Sequence, residues 1–222
     1  MLKNKNHNSL ILDKLDKKPL LPLFYNDDVQ TCKRLIDVII STELEVIEFT
    51  NRGANAMKNF KELAKYIEDQ KSIALGIGSV KNIEEAKEFI GLGAKFIVSP
   101  FLDEDIAKIC VENQITWVPG CGTLTEIIRA ERAGAKLIKL FPGSVYGPEF
   151  ISSVLGPCPW LKIMPTGGVT TELKNIEKWI KSGAFCLGMG SNLFPSNLLN
   201  SNDMTGLQKH ISNVIEKIES IL

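Results

Sequence analysis

Ala133-Gly134-Ala135-Lys136-Leu137-Ile138-Lys139-Leu140-Phe141-Pro142 reads as a helix end, a tight turn and a buried strand in quick succession. Gly134 suits the left-handed position that closes a helix, and the apolar run after it has the length of a strand. The same junction returns in Gly91-Leu92-Gly93-Ala94 and Ser182-Gly183-Ala184, each just ahead of another short apolar run. A recurring helix–glycine–strand junction is the mark of stacked βα units.

Outward from 136–140 the pattern repeats along the chain. Strands are expected at 20–24, 45–49, 73–77, 95–98, 115–118, 136–140, 161–164 and 184–188. Between them run helical periods: to about 41 from an Asp27-Asp28 cap, 55–68, Asn82 to 91, 104–112, 123–133, 148–154, 172–181 and 205–221. A leading helix near 9–17 precedes the first strand. Eight β-then-α units without a hairpin signal imply a parallel sheet with right-handed crossovers. A doubly wound open sheet is the rival. No Gly-x-Gly-x-x-Gly turn follows the first strand, and units of roughly 25 residues favour closure. The fold class is therefore α/β, a single (β/α)₈ TIM barrel with an extra N-terminal helix, spanning 1–222 as one domain.

Bulk properties narrow the function. The 222 residues, 44% hydrophobic, suit one sizeable core. Lys+Arg and Asp+Glu both number 26, so no global charge calls for a nucleic acid or a membrane surface. The polar start, Met1 to Ser9, reads as neither signal peptide nor membrane span. Five scattered cysteines (Cys32, Cys110, Cys121, Cys158, Cys186) without a CxxC pair argue against zinc or disulfides. They read as buried, reduced thiols of a cytoplasmic protein. The only histidines, His7 and His210, fall outside the barrel mouth. That disfavours a Ser–His or Cys–His triad and a His-ligated metal, so no metal site is expected.

A barrel carries its chemistry at the C-terminal ends of its strands. On strand six, Ile138 and Leu140 suit the layer under the helices, which sends Lys139 inward with Leu137 and Phe141. Desolvation lowers a lysine pKa and makes the amine a nucleophile; the alternative is a register one residue off, with Lys139 reaching solvent. On strand two, Glu48, Thr50 and Arg52 share a parity, giving a general acid/base and an anion clamp, or else a structural Glu48–Arg52 ion pair. Strands seven and eight end in Thr166-Gly167-Gly168 and Gly188-Met189-Gly190-Ser191. Glycines at those two ends suit a phosphate held on backbone N–H groups, or ordinary turns.

Taken in order, Val46-Ile47-Glu48-Phe49-Thr50-Asn51-Arg52, Leu75-Gly76-Ile77-Gly78-Ser79, Val98-Ser99-Pro100, Val118-Pro119-Gly120, Ile138-Lys139-Leu140-Phe141-Pro142, Pro165-Thr166-Gly167-Gly168 and Gly188-Met189-Gly190-Ser191 resemble one family. It is the 2-keto-3-deoxy-6-phosphogluconate (KDPG)/4-hydroxy-2-oxoglutarate (KHG) aldolases, class I enzymes on a (β/α)₈ barrel. The resemblance covers roughly residues 18–195. It implies Lys139 as the imine-forming lysine and Glu48 as general acid/base. It implies Arg52 and Thr166 on the substrate carboxylate, with Ser79 where threonine is usual. Phe141 and Pro119 would wall the pocket, and Gly167, Gly168, Gly190 and Ser191 would cradle phosphate.

The same resemblance implies no cofactor, small 2-keto acid and aldehyde substrates, and a homotrimer. Two departures stand out: Tyr25 near the end of strand one, where many members carry arginine, and Phe101 in place of a common glycine. Other readings are a 2-keto-3-deoxy-6-phosphogalactonate aldolase, a sugar-phosphate epimerase and a binding-only barrel. The pair Lys139 and Glu48 argues against the last.

Overall fold

The computed structural model describes residues 7–222, with side chains from residue 10 onward. Much of the polar opening segment, read above as no signal peptide, lies outside the described residues. Helix α1 (His7–Lys17) leads into β1 (Leu20–Phe24), α2 (Val29–Ser41), β2 (Val46–Thr50), α3 (Ala56–Tyr66), β3 (Ala74–Gly78) and α4 (Ile83–Gly91). The alternation continues through β4 (Phe96–Ser99), α5 (Glu104–Glu112), β5 (Thr116–Cys121), α6 (Leu124–Arg132) and β6 (Ile138–Leu140). Two short helices, α7 (Gly143–Tyr146) and α8 (Pro148–Leu155), precede β7 (Ile163–Pro165), α9 (Leu173–Lys181) and β8 (Leu187–Met189). The chain then forms α10 (Ser196–Asn200) and α11 (Met204–Glu219).

Side chains at the helix starts explain several of these boundaries. Asp28 accepts from the Gln30 and Thr31 N–H groups, Asn82 from Glu85, and Thr123 forms a reciprocal capping box with Glu126. Each cap contributes about 1 kcal/mol by satisfying N–H groups the helix leaves unpaired. At the other ends, Gly93, Gly134 and Gly183 all have positive φ (96°, 108° and 93°). The junction that opened the sequence reading is thus one left-handed glycine used three times.

All strand neighbours are parallel, in the order β7-β6-β5-β4-β3-β2-β1-β8. The β7–β8 seam closes through a Thr166–Gly188 bridge and a Phe185 N–H to Ile163 C=O bond of 2.8 Å. The expected barrel is formed. Strands β6, β7 and β8 are shorter than expected, because regular ladder pairing near the seam spans three residues in each. Helix α7 is too short to show an apolar period, and it docks through the Gly143 N–H on Thr166 C=O at 2.9 Å.

Alternation sorts the core into two layers. Ile47, Phe49, Ile77, Ile97, Ile138, Leu140 and Ile163 face the helices. Leu21, Val46, Ala74, Phe96, Val98, Val118, Leu137, Met164 and Cys186 fill the barrel, together with Ile11 and Leu15 of α1. The leading helix therefore seals the bottom of the barrel. Among the described residues, no helix is long and apolar enough to cross a membrane.

Candidate active site

Lys139 sits between two neighbours that fix its direction, since Leu137 belongs to the barrel interior while Ile138 and Leu140 lie under the helices. Its side chain is 7% exposed, buried but reachable from the mouth. The Nζ lies 4.9 Å from the centroid of the Phe141 ring.

Across the barrel, Glu48 is 1% exposed, and its Oε2 has no hydrogen-bond partner. Room for the carboxyl comes from β3, where the register sets Gly76 beside Glu48 and Gly78 beside Thr50. A Cβ on Gly78 would lie 1.7 Å from Glu48 Oε1. Two glycines of inward parity on the strand next to a buried carboxylate were the signal for this, and the sequence reading passed over it.

The electrostatics follow from burial. Desolvation pushes the Glu48 carboxyl above the usual carboxylate range, against the opposing charges of Lys139 and Arg52. Desolvation pushes the Lys139 amine below the usual lysine range; Glu48 opposes that shift and the Arg52 charge adds to it. Burial thus works against the charged form of each group, while their mutual attraction works in favour of it. Among the described residues neither group makes an ion pair within 4.0 Å.

Arg52 stands exposed at the end of β2, and its Nε donates to Thr50 Oγ1 at 3.3 Å. The Glu48–Arg52 ion pair weighed as an alternative is not formed: among the described residues no carboxylate lies within 4.0 Å of the guanidinium. Thr166, 6% exposed, carries a hydroxyl with no partner beside Gly188, where a Cβ would come within 2.3 Å of it. Ser79 follows Gly78 at φ 62°, a left-handed turn just past β3.

One expected wall residue needs correcting. Pro119 shares its parity with Trp117 and Cys121, both in the layer under the helices, so strand alternation turns it away from the barrel. The β5 residue beside Lys139 is Gly120, packed so closely that a Cβ would lie 2.2 Å from the Pro100 carbonyl oxygen. Gly120 and the Pro100 carbonyl form that wall. Cys121 is buried, and burial pushes its thiol up to about 12, which leaves it unreactive.

The two glycine loops lie side by side. Gly167 and Gly168 have φ of 83° and 79°, and a Cβ on Gly168 would meet Ser144 Cα at 2.7 Å. Gly167, Gly168 and Ser191 are exposed, with Gly190 half-buried against Leu23. Asn192 Nδ2 donates to Val169 C=O at 2.9 Å, and His210 Nε2 lies 3.0 Å from Asn192 C=O. This tie between the loops was not foreseen, and it gives His210 a supporting place outside the mouth. Among the described residues no three His, Cys, Asp or Glu side chains are grouped to hold a metal.

A buried lysine whose charged form is disfavoured by desolvation suits attack on a carbonyl, as in the class I aldolases. Comparison with known proteins leads to the same class. The chain belongs to the KDPG and KHG aldolase family, whose profile matches residues 11–210, and as a member it is an aldolase, an enzyme of the lyase class. It is 34% identical to the 2-dehydro-3-deoxy-6-phosphogalactonate aldolase of Escherichia coli K12 over 54% of this chain and 58% of that relative. It is 27% identical to the 2-dehydro-3-deoxy-phosphogluconate aldolase of Dickeya dadantii over 83% of this chain and 85% of that one. The fold matches KDPG aldolase from Legionella pneumophila, solved with pyruvate as a covalent carbinolamine, at a TM-score of 0.83 and 21% identity, covering 91% and 97% of the two chains.

Proposed function

We propose that Lys139 is the Schiff-base lysine and Glu48 the proton carrier of this aldolase. The reaction is reversible cleavage of 2-keto-3-deoxy-6-phosphogluconate to pyruvate and glyceraldehyde 3-phosphate, of 4-hydroxy-2-oxoglutarate to pyruvate and glyoxylate, or of both. The observation that carries the reading is a buried amine and a buried carboxyl with an unbonded oxygen, both on inward positions of the barrel strands, with burial disfavouring the charged form of each.

The proposed cycle starts from the free amine and the protonated carboxyl. The Lys139 amine adds to the C2 carbonyl, and the Glu48 acid protonates the resulting hydroxyl, which leaves as water. The iminium cation and the Glu48 carboxylate then appear together, each compensating the other in a site that disfavours a single charge. Glu48 takes the C4 hydroxyl proton as the C3–C4 bond breaks, and the bonding electrons pass into the imine to give a neutral enamine. Glu48 returns the proton to C3, and water releases pyruvate. Arg52 and the Thr166 hydroxyl hold the carboxylate in this scheme, with Ser79 at the pocket edge and the ring of Phe141 over the amine. Gly167, Gly168, Gly190 and Ser191 hold the distal phosphate.

The 34% identical stretch shared with the galactonate relative keeps the C4 epimer as an alternative substrate. A cytoplasmic location is supported by five unpaired, buried thiols, and a homotrimer by the family resemblance alone. The test is trapping: incubation with pyruvate and borohydride is expected to add one reduced pyruvyl group at Lys139, read by peptide mass spectrometry. Lys139→Ala should abolish the adduct. No adduct, or one on another lysine, overturns the assignment. A panel of glyceraldehyde 3-phosphate and glyoxylate with pyruvate then ranks the aldehydes.

A further inference from the structure

Tyr25 lies just past β1, where the resemblance leads one to expect a charged residue facing substrate. Its side chain is committed elsewhere. The phenol donates to Asp27 Oδ1, the ring packs at 5.5 Å on Phe49, and the Asn55 backbone N–H faces the phenol oxygen. The phenol end of the ring also lies against Gly53: a Cβ there would fall 2.0 Å from the phenol oxygen and 2.2 Å from Cζ.

Gly53 immediately follows Arg52, so the phenol presses on the turn that carries the guanidinium. Other bonds converge on that turn. Asn59 Nδ2 donates to the Asn26 and Asp27 carbonyls, both at 3.0 Å, and Asn55 Nδ2 reaches Asp27 Oδ1 at 3.5 Å. Thr50, which accepts from Arg52 Nε, donates its hydroxyl to Phe24 C=O at 3.4 Å. The end of β1 and the loop after it thus hold the end of β2, the turn after it and the start of α3, on both sides of Arg52, while among the described residues the Arg52 side chain itself is held by one long bond.

We propose that Tyr25, locked to Asp27 and seated on Gly53, is a positioning residue that sets the Arg52 guanidinium for the substrate carboxylate. The proposal rests on the reading of Arg52 given above. A planar fork binds a carboxylate through two bonds only if its base is fixed, so loosening the turn weakens carboxylate binding more than the chemistry. Because the carboxylate is held equally before and during bond cleavage, the loss falls on KM rather than kcat.

The test is pyruvate saturation of borohydride trapping. Tyr25→Phe keeps the ring but loses the phenol's bonds, and is expected to raise the half-saturating pyruvate concentration about three- to tenfold. The maximal trapping rate should stay within twofold. Gly53→Ala, which forces the ring off the turn, should act in the same direction. In an Arg52→Met background, Tyr25→Phe should add nothing further, because the group it positions is gone. Additive effects, or a lowered melting temperature with unchanged pyruvate saturation, overturn the positioning role and leave Arg52 as the clamp. Arg52→Met with wild-type saturation overturns the clamp itself, and the positioning role with it.

Discussion

The two ends of the barrel interior are built on opposite principles. At the bottom, Leu21, Val46, Ala74, Phe96 and Leu137 close over Ile11 and Leu15 of α1 as an apolar plug. At the top, toward the C-terminal ends of β2, β6 and β7, come Glu48, Thr50, Lys139 and Thr166, and two of these carry buried oxygens without partners. Buried polar groups left unbonded are costly and uncommon. Their concentration at one end shows stability gathered at the bottom and reactivity held at the top.

The largest expected break in this contrast is at Glu48. Glu48→Gln keeps the shape and removes the proton, so kcat for aldol cleavage should fall by about 10²- to 10⁴-fold, the usual range for a lost general acid/base. Thermal unfolding should be little changed or slightly improved. A variant with near-normal kcat would move the proton carrier elsewhere and dissolve the distinction between the ends.

Next comes the plug. Leu15, 1% exposed, should cost about 2–5 kcal/mol on truncation to alanine. Denaturant unfolding measures that loss, and pyruvate saturation of the surviving native protein should match wild type. If Leu15→Ala instead raises the half-saturating pyruvate concentration severalfold, the ends are coupled.

The smallest effect concerns pH. In the proposed mechanism Lys139 reacts as the free amine, so the trapping rate should rise with pH through an inflection below the ordinary lysine value. The Arg52 charge contributes to that depression. Arg52→Met should therefore raise the Lys139 pKa and move the acidic limb to higher pH. Glu48→Gln, which removes a charge that raises the same pKa, should move it lower. For stability the signs follow the linkage: a carboxyl raised on folding contributes stability below its unfolded pKa that is lost as pH rises through its folded one. An amine lowered on folding contributes only above its ordinary pKa, and that contribution is lost as pH falls through the folded value.

The bottom was easier to read in the sequence than the top, for a physical reason. Strand and helix periods, caps at Asp28, Asn82 and Thr123, and the three left-handed glycines are local signals, and local chemistry determines them. Lys139 and Glu48 were legible too, since parity along a single strand aims each of them. What escaped were relations between strands. Pro119 was taken as a wall because its neighbours match a motif, yet alternation in β5 gives that place to Gly120. The space that Gly78 leaves for Glu48, the Asn192 tie between the glycine loops and the Tyr25–Gly53 contact all join residues far apart in the chain. No short-range pattern encodes them. Helix α7 failed for the opposite reason, being too brief to have a period.

The pairing of β1 with β8, Leu20 with Leu187 and Pro22 with Met189, has a consequence for how the molecule is made. Glu48 and Lys139 leave the ribosome well before the strand that completes their enclosure. Until roughly residue 190 has emerged, β1 and β7 are bare parallel edges, open to any strand that meets them. Closure is among the longest-range contacts in the chain, and such contacts are slow to form. The vulnerable interval in the life of this enzyme is therefore the last stretch of its own synthesis, when most of the ring exists and its final stave does not.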